Sequence, residues 1–160
     1  MRTSRFTIPR RTLTFLAVVG LLLLPASSAF AAGAVTETQK FKNVTESFPE
    51  TNPCSGVPGT VTITYNGVIH TTQNDNGFHI TGTFTGDFVF VPDDPAQPTY
   101  TGHFTNWFGF NANQRNFTGT FTFSVHGKGS DGSRVVFHVT GHDSMSASGH
   151  VISFEKPRCG

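Results

Sequence analysis

Seven histidines are the most numerous residues here that could hold a metal or move a proton. His138 and His142 stand four apart, in a segment that alternates like a strand. Four strand residues span about 13 Å, too far for two imidazoles to share one ion. His70, His103, His126, His138 and His142 all alternate onto the Thr-rich side of their segments. Apart from that pair, none keeps a zinc-ligand spacing with a cysteine or another histidine. They read as solvated strand histidines, and neither a metal nor a cofactor is expected. Ser144 and Ser146 lie near His142 without the Gly-x-Ser-x-Gly elbow of a hydrolase nucleophile. Asp93 and Asp94 are the one pair of adjacent carboxylates. They fall in a Pro-rich loop and lack the further oxygen ligands that Ca²⁺ needs. No catalytic residue is nominated. Trp107, the single tryptophan, alternates outward beside His103. It is expected to pack across strands beneath a loop rather than to stack on a sugar. Asn43 and Asn116 each open an Asn-x-Thr sequon.

The elements that must position these residues share one short pattern. It runs large-apolar, small-polar, Gly, any residue, large-apolar, small-polar. Residues 80–85 (ITGTFT), 100–105 (YTGHFT) and 117–122 (FTGTFT) are close copies, and 65–70 and 139–144 are looser ones. This is period two, the mark of strands with one buried face, and each glycine falls on that face. Residues 32–160 contain no Leu and few Ala, but 19 Thr, 12 Val and 14 Phe. Helix formers are scarce and β-branched and aromatic residues dominate, so the fold class is all-β.

The N-terminal 31 residues read as a signal peptide that is removed. Arg2, Arg5, Arg10 and Arg11 precede a largely apolar run of twelve residues, 13–24, then Pro25 and an Ala29-Phe30-Ala31 cleavage site. The run falls short of the about 20 residues that span a bilayer, so no stable membrane insertion is expected once it is gone. Its Leu-rich core points to the general secretory route over the twin-arginine route that Arg10-Arg11 suggests. It carries four of the eleven basic residues and none of the ten acids, so 32–160 has seven bases against ten acids, a net of −3. With no basic patch, a nucleic-acid partner is not supported.

Residues 32–39 read as a flexible lead-in, and 40–160 as one domain. A weak first strand is expected over 40–48, a loop over 49–59, and clear strands over 60–72, 78–91, 99–110, 116–127, 133–145 and 150–155. Asn66-Gly67 is read as lying within one strand, because it matches the recurring pattern, rather than as a hairpin turn. Short loops suit neighbouring antiparallel strands. The expectation is an up-and-down barrel of 7–8 strands, with a two-sheet sandwich as the alternative. Cys54 and Cys159, an isolated even pair in an exported chain, are expected to form a disulfide rather than remain free thiols. It would close a loop of roughly 100 residues, for which polymer entropy gives about 4.7 kcal/mol.

Asn52-Pro53-Cys54 ahead of Thr-rich alternating strands, with a lone Cys159 at the end, resembles a group of small secreted bacterial proteins. The similarity covers residues 40–159 and implies export, a disulfide and a β-barrel. More remotely, the architecture is similar to calycin-type, lipocalin-like and allene-oxide-cyclase-type barrels, which hold or isomerise lipophilic molecules. No motif of those families is present, so the likeness is one of fold alone.

Two residues break the apolar face. Asn106 stands among Tyr100, Phe104, Phe108 and Phe110, and Asp143 occupies the place of a phenylalanine in its copy of the pattern. If consecutive strands pair in simple hairpin register, Asn106 lies level with Gly119 and Gly141, and Asp143 with Phe117 and Phe108. A small pocket is then expected, walled by Phe104, Phe108, Phe117 and Phe121, with Asn106 and Asp143 as its polar groups. The functional expectation is a non-catalytic binding module for a small apolar ligand or a partner. The alternatives are an isomerase or lyase acting inside the barrel, or a purely structural surface protein. The pattern sets no oligomeric state.

Overall fold

The computed structural model describes residues 33–160, so the expected signal peptide lies outside the described residues. Seven strands follow in order: β1 (Val35–Thr51), β2 (Pro58–Asn74), β3 (Gly77–Pro92), β4 (Tyr100–Asn113), β5 (Phe117–Gly129), β6 (Arg134–Met145) and β7 (Val151–Cys159). They form one antiparallel sheet in the order β1-β2-β3-β4-β5-β6-β7, with no helix among the described residues. All seven therefore share one sheet, and no ladder pairs β1 with β7.

Glycine and phenylalanine explain each other across the strands. Gly82 pairs with Phe108, Gly141 with Phe121, Gly67 with Phe84 and Gly119 with Phe110. In each pair the ring lies over the glycine, where a Cβ would collide with it. In four of the five copies the recurring glycine is thus a seat for a ring on the adjacent strand, the known rescue of a strand glycine by an aromatic neighbour; at Gly102 the backbone of His126 and Gly127 takes that space instead. Gly67 lies inside the unbroken β2, so Asn66-Gly67 is not a turn. The turn follows at Asp75-Asn76, where the Asn74 side chain accepts from the amides of Asn76 and Gly77.

β1 begins earlier than the sequence suggests: residues 35–39, expected as a flexible lead-in, pair with β2. Its alternation is masked by a one-residue bulge between Phe41 and Val44, where Asn43 adopts φ 51°. Phe41 and Phe48 are an odd number of residues apart, so strict alternation cannot place both on one face. The extra residue resets the phase and brings both to the apolar face. The Asn43 amide donates to Oδ1 of Asn66, which fixes the bulge. β7 also runs further than expected, to Cys159.

The apolar face curls inward. Phe88 and Phe90 of β3, Phe104 of β4 and Val135 of β6 form one buried cluster, although β3 and β6 lie three strands apart. A covalent bond ties a loop beside one margin of the sheet to the strand at the other. Cys54, in the loop after β1, is bonded to Cys159 at the end of β7, with Cα atoms 5.7 Å apart. Asn52 shapes that loop. It is 7% exposed, and its Oδ1 accepts from the amides of Cys54 and Ser55. Elsewhere the margins carry the features that discourage edge-to-edge pairing: the bulge and Pro49 on β1, and Glu155, Lys156, Pro157 and Arg158 on β7.

Candidate functional site

On the inner face, six aromatic rings make a continuous diagonal from β1 to β5. Phe41 meets Phe84 at 5.4 Å between centroids, and Tyr65 meets Phe84 edge-on at 5.3 Å. Phe84 stacks on Phe108 at 6.1 Å, Phe108 contacts Phe110 at 5.5 Å, and Phe110 stacks on Phe117 at 6.1 Å. All six remain half-buried. Phe104, Phe123 and Phe137 form a second run, with centroids 6.1 and 6.3 Å apart. The diagonal arises because each glycine seat moves the next ring one row along the sheet. Offset and edge-on contacts of this kind suit aromatic quadrupoles.

The residues nominated from sequence all fall on this face, but in a different register. Asn106 pairs with Phe84 and Phe123, not with Gly119. Asp143 pairs with Gly119 and Ser153, not with Phe117. Phe108 and Phe121 face each other directly. Phe104 belongs to the buried cluster, and Phe117 lies at the far end of the diagonal. Asn106 and Asp143 are two strands and four residues apart, roughly 16 Å at ordinary strand spacings. They do not converge as the two polar groups of one small pocket. Asp143 instead accepts from the Ser153 hydroxyl on β7 at 2.5 Å. Asn106 has no side-chain hydrogen bond among the described residues and stays half-exposed at the centre of the aromatic face.

A polar contact not foreseen from sequence lies at the β1 end of the diagonal. The Tyr65 hydroxyl donates to Oε1 of Glu46 at 2.9 Å. Burial of the ring, and then the Glu46 carboxylate, push the phenol up to about 12. The bulge hid this contact, because counting alternation straight through β1 places Glu46 on the wrong face. The signal available was Asn43, one of the few residue types that tolerate positive φ.

The outer face is a lattice of hydroxyls and imidazoles. His70 bonds Thr38, His138 bonds Ser124, His142 bonds Thr120, and His79 bonds Asn111. His103 lies between Asp87, 3.1 Å from Nδ1, and Thr85, 2.9 Å from Nε2. This carboxylate–imidazole–hydroxyl chain sits on an open strand surface, with His103 56% and Asp87 83% exposed. Water reaches every member. The chain therefore pins cross-strand neighbours. No group of three His, Cys, Asp or Glu could hold a metal among the described residues. Trp107 does point outward, 42% exposed, and its ring rests over Gly109 of its own strand rather than under a loop.

No known family, no curated protein and no solved structure matches the chain.

Proposed function

We propose that the protein is an exported, non-catalytic binding module that takes a small apolar ligand on its inner aromatic face. The carrying observation is the diagonal from Phe41 to Phe117: six rings in mutual contact, none fully withdrawn from water. Contiguous apolar surface of this kind marks a place of contact in a soluble protein. In this reading the sheet curls as an up-and-down barrel with the rings lining its interior. The covalent tie between the loop after β1 and the end of β7 supports that reading. The disulfide also supports export, since such bonds persist in oxidising compartments. The resemblance to small secreted bacterial proteins and the likeness to lipocalin-like barrels agree with both. Native mass spectrometry of protein exported by its own host tests the reading. The expected result is a non-covalent adduct lost on extraction with organic solvent. Protein that leaves the host bare, and that binds no apolar probe afterwards, refutes it.

A further inference from the structure

Five of the six strand carboxylates face inward and Asp87 faces outward, while Lys42 lies in the bulge without a ladder partner. Five carboxylates alternate inward: Glu37, Glu46 and Glu50 on β1, Asp143 on β6 and Glu155 on β7. Their contacts agree with that placement. Glu46 meets the inner Tyr65, Asp143 meets Ser153, and Glu37 accepts from Gln39, which alternates onto the same face. No Lys or Arg of the paired ladders faces inward. Lys40, Lys128, Arg134, Lys156 and Arg158 all fall on the outer face. None of the five inner carboxylates has a cationic partner among the described residues, whose single ion pair is His103 with Asp87 on the outside.

The carboxylates lie on β1 at one side of the sheet and on β6 and β7 at the other, and the rings run from β1 to β5. At the β1 end the two features meet. Phe41, Tyr65 and Phe84 contact one another at centroid distances of 5.3–6.4 Å, with the Glu46 carboxylate bonded to the Tyr65 hydroxyl. Ring faces attract cations within about 6 Å of a centroid, and an unpaired carboxylate beside them adds to the attraction. Beyond this corner, Phe108, Phe110 and Phe117 offer apolar surface without charge.

We infer that the ligand is a cationic amphiphile: an alkylammonium group seated at Phe41, Tyr65 and Glu46, with its apolar body along Phe84, Phe108 and Phe110. This rests on the binding reading above and adds to it the sign of the ligand's charge. An anionic amphiphile, such as a fatty acid, is disfavoured on the same face by five uncompensated carboxylates.

The test titrates the oxidised protein with three probes that share one ring system: naphthalen-2-ylmethyl-trimethylammonium, naphthalen-2-ylmethanol and naphthalen-2-ylacetate. Binding is measured by calorimetry at low and high ionic strength. The ammonium probe should bind about 10-fold tighter than the alcohol at low salt, and the acetate weakest. Salt should narrow the gap, because screening shortens from about 30 Å at 0.01 M to about 3 Å at 1 M. Glu46→Gln should reduce the ammonium preference severalfold, and Trp107→Ala should leave it unchanged. Equal binding of ammonium and alcohol overturns the charge inference and leaves the apolar site standing. Binding of none of the three overturns both. A preference lost in Trp107→Ala and kept in Glu46→Gln places the cation on the outer face and overturns the inference. A preference unmoved in Glu46→Gln/Glu155→Gln, with aggregation rising instead, shows that the inward acids only guard the sheet edges.

Discussion

The pairing of Gly141 with Phe121 makes a prediction whose sign depends on the background. A Cβ at Gly141 would collide with three atoms of the Phe121 ring, and the glycine has no positive φ of its own. Gly141→Ala must therefore push the ring off its seat. Overpacking of this kind costs about 1–3 kcal/mol. Removing a glycine returns about 0.4–1 kcal/mol by restricting the unfolded chain. The net expectation is a loss of up to about 2.6 kcal/mol. In a Phe121→Ala background the ring is gone and only the second effect remains. There Gly141→Ala should stabilise by roughly 0.5–1 kcal/mol. Phe121→Ala alone should cost less than the 3–5 kcal/mol of a fully buried phenylalanine, because the ring is half-buried. Urea unfolding of the four proteins of this cycle, followed by far-UV circular dichroism, gives the coupling energy, expected at about 1–3 kcal/mol. Gly119 provides the control, since its ring is Phe110. Gly119→Ala should couple to Phe110→Ala and be additive with Phe121→Ala. If Gly141→Ala has the same sign and size in both backgrounds, the ring-over-glycine account is wrong.

Reducing Cys54–Cys159, which are separated by 105 residues, should destabilise the fold by up to about 4.7 kcal/mol. Unfolding of the oxidised protein against the reduced protein measures this, and coincident curves would show that the bond adds nothing to the stability of the fold. Asn52→Ala removes the acceptor of two loop amides at a buried position. It should cost about 1–3 kcal/mol and slow disulfide formation, read by timed alkylation and mass spectrometry. Tyr65 should ionise near pH 12 in the ultraviolet titration of the phenols. Its folded pKa lies above the ordinary value, so the stability it contributes is complete below about pH 10 and is lost as pH rises through about 12. Glu46→Gln should bring that ionisation part of the way down, because burial is the larger cause and remains. Protein dialysed against chelator-free buffer should carry no stoichiometric zinc or copper by elemental analysis; a tightly held ion lost in His103→Ala would expose a cross-strand site.

Alternation along the sequence determined which residues share a face. Side chains on a strand repeat every two residues, and the recurring glycine kept that phase through β2 to β6. Phe104, Phe108, Phe117 and Phe121 were therefore legible as one surface together with Asn106 and Asp143, as was the outward placement of Trp107 and of the outer histidines. The covalent pair was legible too, from the isolation of Cys54 and Cys159. Register was not. β4 runs to Asn113 and its turn centres two residues later than loop composition suggests, so Asn106 meets Phe123 instead of Gly119. Such a slip of an even number leaves every side chain on its own face. Alternation is therefore blind to it, and only the pairing of whole strands settles which ring covers which glycine. β1 fails for a different reason. One inserted residue at the bulge reverses its phase, and the reversal that turns Glu46 toward Tyr65 is set by the hydrogen bond from Asn43 to Asn66 on the next strand. Contacts made within a strand are written in its own sequence; contacts that depend on a neighbour's register exist only once the sheet has formed.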